Sequence, residues 1–96
     1  MVISVDEPYY VYILECKDHT YYTGSTNCIE HRLKQHQLGK AAKYTRGRGP
    51  VKLVYVEKGQ GKSWGLKREN EIKRLPRKKK EQLILEGGNI EYPKKL

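Results

Sequence analysis

Apolar residues fall at both parities along Tyr9-Tyr-Val-Tyr-Ile-Leu-Glu-Cys16, a run rich in aromatic and β-branched side chains. A strand with one wetted face alternates apolar and polar positions, so this run predicts a strand covered on both faces, hence a central one. Lys17-Asp18-His19-Thr20 reads as a polar turn and Tyr21-Tyr22-Thr23 as a second short strand, which makes residues 9–24 a β-hairpin. The period then lengthens. Ile29 and Leu33 form the apolar side of a helix with Asn27 as N-cap, Glu30 completing a capping-box-like pair, and Gly39 at C′. Arg32 and His36 lie four apart and share one helix face.

A basic, glycine-rich loop runs from Gly39 to Pro50, followed by a third strand, Val51–Val56, and a break at Gly59-Gln-Gly61. Ser63 is placed to cap a second helix that runs to Leu75 and stops at Pro76. A last helix is expected from about Pro76 to Glu86, ending at Gly87-Gly88, with a frayed tail to Leu96. The order β-β-α-β-α-α predicts an α+β fold: a small three-stranded antiparallel sheet flanked by helices, in one domain spanning 1–96.

One position breaks the apolar patterning. Leu66, Glu69, Ile72 and Leu75 are spaced by threes, which sets Glu69 in an apolar stripe, whereas Glu71 lies among Lys67, Lys73 and Arg74. A carboxylate on an inward face needs a cation or hydrogen bonds to offset its lost hydration. It reads either as a metal ligand or acid/base group, or as a salt bridge at the edge of the core.

Charge adds a partner class. The 96 residues carry 20 Lys+Arg against 11 Asp+Glu, a net charge of +9. Residues 1–30 hold one basic and five acidic groups, so all of the excess lies beyond them. Clustered cations of this kind suit a polyanion, since binding releases phosphate counterions. The length excludes a large multi-domain enzyme, and two cysteines exclude a disulfide-dense scaffold. No apolar run is long enough to span a bilayer and Met1–Asp6 has no signal-peptide pattern, so a cytoplasmic protein with reduced cysteines and no membrane partner is expected.

Three further features bear on chemistry. Eight tyrosines and no phenylalanine suggest that several hydroxyls are used, with Tyr10, Tyr12 and Tyr22 close together in the hairpin; half-exposed strands also favour tyrosine. Lys40, Lys43, Tyr44, Thr45, Arg46 and Arg48 interleave cations, hydroxyls and an aromatic ring, a pattern suited to phosphates and bases or to a solvated loop. Arg77, Lys78, Lys79 and Lys80 stand in a first helical turn, where the helix dipole disfavours cations and a bound phosphate would offset them. Cys16-x2-His19 and Cys28-x2-His31 have zinc-like spacing, but their places at a strand end, in a turn and in a helix do not bring the four together.

Taken together, these residues resemble the GIY-YIG nuclease superfamily, in particular its small stand-alone bacterial members. Val11-Tyr12-Ile13 occupies the first motif and Tyr22-Thr23-Gly24 the second, with the two tyrosines ten apart. Arg32 lies ten beyond Tyr22, His36 matches an auxiliary histidine one turn on, Glu69 matches the metal-binding glutamate, and Ala42-Lys43-Tyr44-Thr45-Arg46 resembles a stretch of the small members. Tyr10 replaces the first motif's glycine, and neither Asn70 nor Asn89 aligns with an active-site asparagine found in some relatives.

The resemblance implies hydrolysis of phosphodiester bonds in nucleic acid, DNA first, with one Mg²⁺ or Mn²⁺ on Glu69. Tyr12 or Tyr22 would orient or deprotonate water, His36 would share the proton, Arg32 would neutralise transition-state charge, and Gly24 would admit the scissile phosphate. Lys43, Tyr44, Thr45, Arg46, Arg48, Lys78 and Lys79 would contact the nucleic acid. Without an appended recognition domain, cleavage would be structure-selective or directed by a protein partner. A non-catalytic nucleic-acid-binding module with the same fold is the alternative.

Overall fold

The computed structural model describes residues 7–42 and 47–88. Its elements are β1 (Pro8–Glu15), β2 (Tyr21–Thr26), α1 (Ile29–Gln37), β3 (Lys52–Gln60), α2 (Lys62–Lys73) and α3 (Arg77–Glu86). They occur in the expected order, and the three strands form an antiparallel sheet ordered β2-β1-β3. β1 is central, and Val11, Tyr12, Ile13 and Leu14 have no exposed surface. Alternation divides their side chains between two cores. Tyr12, Leu14 and Cys16 join Ile29 and Leu33 of α1 with Val51, Leu53 and Val56. On the other face, Val11 and Ile13 meet Tyr55 and Ile72, with Trp64, Leu83 and Ile84 of α2 and α3 packed around them.

Both outer strands are longer than their composition suggests. β2 continues through Gly24-Ser25-Thr26 and β3 through Glu57–Gln60, because each pairs along nearly the whole of β1, as far as Tyr10↔Thr26 and Pro8↔Gln60. Ladder hydrogen bonds to a buried central strand outweigh the weak strand preference of glycine and polar residues. Gly59 sits inside β3, where the Trp64 ring covers it, and the chain breaks instead at Gly61, whose φ is +88°.

The helix caps differ from expectation as well. α1 is capped by Cys28, with no side-chain cap bond, because Thr26 Oγ1 accepts the Cys28 amide at 3.1 Å and takes over the turn expected of Asn27. Gly61 rather than Ser63 is the N-cap of α2. Gly39 does stand just beyond α1, with φ +75° and its amide donating to the His36 carbonyl.

The threefold stripe on α2 also needs correction. Steps of three drift by about 60° each on an α-helix, so Leu66 and Leu75 end on opposite sides. Leu66 is 46% exposed, and the line that meets the sheet is Gly65 and Ile72, with Arg68 and Glu69 half-buried between them. Glu69 is inward because of its neighbours Gly65 and Ile72 rather than Leu66.

Candidate active site

Tyr12 stands in the middle of β1, directly across from Gly24 of β2. A Cβ on Gly24 would lie 2.5 Å from the Tyr12 hydroxyl and 2.7 Å from its Cζ, with Tyr22 Cε2 at 3.1 Å. The space left by the absent side chain is therefore filled by the two tyrosine rings, and packing alone demands glycine at this position.

α1 runs over the same sheet face and presents Ile29, Leu33 and His36 to it at helical spacing. His36 is 3% exposed, and its Nε2 lies 2.8 Å from the Tyr12 hydroxyl. The Tyr22 ring is edge-on to His36 at 5.2 Å between centroids and lies 6.5 Å from Tyr12. The hairpin and α1 thus bring Tyr12, Tyr22 and His36 into one group, with Arg32 on its half-exposed flank.

The electrostatics of this group follow from burial. Loss of solvent raises the Tyr12 phenol far above its ordinary value, the Tyr22 hydroxyl adds to the rise, and Arg32 opposes it. Burial raises Tyr22 too, against the pull of Lys73 and Arg32 and with the push of Glu69. His36 is lowered from 6.5 to about 4, first by burial and then by the Arg32 guanidinium. At neutral pH the imidazole is uncharged and one ring nitrogen carries the hydrogen, so the bond between Nε2 and the Tyr12 hydroxyl takes its direction from the tautomer.

This has a measurable consequence for stability. Between pH 6.5 and about 4 the unfolded chain protonates His36 while the folded chain does not, so stability falls as pH falls across that window. The full loss is expected to be roughly 3 kcal/mol, taking 1.36 kcal/mol per unit. Chemical denaturation at pH 7 and pH 4.5 should show this, and His36→Gln should flatten the difference. An equal pH slope in the variant would remove His36 as its cause.

Glu69 approaches from the other sheet face. Ser25 follows Gly24 and so points to the α2 side of β2, where its hydroxyl donates to Glu69 Oε1 at 2.5 Å. Lys73, four residues on, places Nζ 2.7 Å from Oε2. The Glu69 side chain is 15% exposed and its charge is felt at both Tyr12 and Tyr22. Because β2 is an edge strand, the site wraps around that edge: tyrosines, arginine and histidine on the α1 side, carboxylate on the α2 side. Of the two readings set out from sequence, the salt bridge at the edge of the core is present, as the pair of Glu69 with Lys73.

Sequence reasoning missed Ser25 and Lys73. Ser25 lies beyond the short strand expected at Tyr21-Tyr22-Thr23, although alternation continued from Tyr22 puts it back to back with Gly24. Lys73 was legible as the i,i+4 partner of Glu69.

Other residues of the expected surface lie elsewhere. Arg48 pairs with Asp18 at 3.2 Å, and its carbonyl accepts the Lys17 amide, which ties it to the β1–β2 turn. Lys78 and Lys79 are exposed in the first turn of α3, a helix that packs on the face opposite α1. Lys43, Tyr44, Thr45 and Arg46 lie outside the described residues. An open cleft of about 280 Å³ adjoins Arg32, bounded also by Tyr9, Thr26, Asn27 and Lys62. Among the described residues no three His, Cys, Asp or Glu side chains gather into a metal-binding group, and no helix is long and apolar enough to cross a membrane.

Known proteins are similar to this chain at high identity. A UPF0213 protein of Oceanobacillus iheyensis is 55% identical over 80 residues, which cover 83% of this chain and 93% of that protein. One from Clostridium perfringens is 59% identical over 75 residues, 78% of this chain and 81% of the relative. The solution NMR structure of a UPF0213 protein from Bacillus halodurans superposes with a TM-score of 0.56 at 50% identity, over 85% of this chain and 87% of that one. Residues 8–82, the stretch that contains both tyrosines, Arg32, His36 and Glu69, match the GIY-YIG catalytic domain, and the chain belongs to the GIY-YIG nuclease family.

Proposed function

We propose that the protein is a metal-dependent endonuclease that hydrolyses phosphodiester bonds in DNA, acting in the cytoplasm on branched, flapped or single-stranded structures or under the direction of a protein partner. The observation that carries this reading is the convergence of Tyr12, Tyr22, Arg32, His36 and Glu69, drawn from four elements, into one electrostatically coupled group. A binding module has no need of a half-buried carboxylate whose charge is felt at one buried and one half-buried phenol.

The donor set fits a small hard cation. Mg²⁺ or Mn²⁺ takes one or two carboxylates and completes its shell with water and phosphate oxygens, and Glu69 is one such carboxylate at the edge of the sheet. When bound, the ion would polarise the phosphate and neutralise part of its charge.

The chain's own residues do the rest. With Nε2 unprotonated, Tyr12 donates to it and its oxygen can accept from Arg32; Tyr12 has no exposed surface, so an attacking water reaches the phenol only as substrate opens the site. As that water gives a proton to Tyr12, the phenol's proton passes to the neutral imidazole. Burial and Arg32 hold His36 weakly basic in the free protein, and an incoming phosphate anion offsets Arg32 and raises that basicity. Arg32 faces the charge that grows on the phosphate oxygens. The cleft beside it gives the neighbouring nucleotide room.

The test is cleavage of end-labelled flap, branched and single-stranded DNA, with RNA counterparts, in Mg²⁺ and in EDTA. Wild type should cut in Mg²⁺ alone, and Arg32→Ala should cut about a hundred- to a thousandfold more slowly. Binding that falls steeply with salt, but with no product on any substrate, would replace the enzyme with a nucleic-acid-binding module.

A further inference from the structure

Both oxygens of the Glu69 carboxylate are engaged, and by donors of different kinds. Oε1 accepts from Ser25, a neutral donor fixed on a paired strand, and Oε2 faces Lys73, a full charge on a flexible stem. The Lys73 side chain is 48% exposed, against 15% for Glu69. An ion pair with one exposed partner is weak and easily exchanged. A half-buried carboxylate with no cation at all would be costly. Some cation must therefore stand beside Oε2, and a lysine is the one that leaves readily. Arginine would grip the carboxylate with a planar fork of donors and release it less easily.

We propose that Lys73 is the exchangeable counter-ion of Glu69: it neutralises the carboxylate in the free protein and gives up Oε2 to a divalent cation, while Ser25 keeps the carboxylate aimed. Lys73 is thus a positioning residue that sets metal affinity. This rests on Glu69 being the metal ligand.

The experiment is a Mn²⁺ titration of the purified protein at low ionic strength, with free ion read from its paramagnetic resonance signal. Four proteins are compared: wild type, Lys73→Met, Lys73→Arg and Glu69→Gln, each first shown to melt cooperatively. Removal of the competing charge should tighten Mn²⁺ binding by about three- to tenfold in Lys73→Met. Lys73→Arg should show no gain, and Glu69→Gln should lose the site. If Lys73→Met binds Mn²⁺ no better than wild type while Glu69→Gln still abolishes binding, the counter-ion role is wrong and Glu69 remains the ligand. If Glu69→Gln binds as wild type does, the ion sits elsewhere and both readings fall.

Discussion

Glu69→Gln is expected to reduce metal-dependent cleavage by about a thousandfold or more while leaving the fold intact. The amide keeps the shape of the side chain and can still accept the Ser25 hydroxyl. It cannot neutralise a divalent cation, and Lys73 loses its partner, so two positive charges meet with no carboxylate between them. Loss of a single charge-stabilising group in a water-poor site commonly removes a factor of about 10² to 10³, and loss of the metal adds to that. Stability should move far less, because the pair with Lys73 is partly exposed and such pairs contribute about 0 to 1 kcal/mol. Single-turnover rates on a labelled flap substrate, together with a thermal melt, separate the two effects. Unchanged cleavage in a well-folded variant would show that the activity comes from another site or a contaminant.

The second large effect is expected at a residue with no side chain. Gly24→Ala puts a methyl group 2.5 Å from the Tyr12 hydroxyl and 2.7 Å from Cζ. Such a clash is mild when the neighbour is a free side-chain end, but Tyr12 has no exposed surface and its hydroxyl is held by His36. Either β1 and β2 separate or the phenol turns away from the imidazole. Overpacking of this kind costs about 1 to 3 kcal/mol, and each kcal/mol lowers Tm by about 4 to 8 °C in a domain of this size. Cleavage should fall with it, because the hydrogen bond between Tyr12 and His36 breaks as soon as the phenol shifts. A double-mutant cycle isolates the cause. In a Tyr12→Phe background the nearest clashing atom is gone, so the stability penalty of Gly24→Ala should shrink. An equal penalty in both backgrounds would place the clash elsewhere.

These two residues also mark what the sequence carries and what it does not. The element order was legible because it depends on local periodicity: apolar residues at both parities in β1, and a 3.6-residue spacing that places Ile29, Leu33 and His36 on one side of α1. The identities of Tyr12, Tyr22, Arg32, His36 and Glu69 were legible because their separations match a motif. Strand ends and caps were not. Thr26 displaced Asn27 at the start of α1, and β3 ran through Gly59, because pairing with β1 and cover from Trp64 overrode local preference.

By itself the sequence therefore determined the α+β order, the family, the five residues that make up the candidate site and the basic surplus that suits a polyanion. Only the tertiary structure decided how they meet. Alternation on β2 turns Tyr22 and Gly24 to one side of the sheet and Ser25 to the other, and β2 is an edge strand, so the charge of a carboxylate held on the α2 side is felt by phenols that face α1. The reason glycine stands opposite Tyr12, and the identity of the cation beside Glu69, are set by neighbours across a strand pair and one turn along a packed helix. Periodicity along the chain specifies which face a residue prefers, but packing across the fold fixes what that face touches.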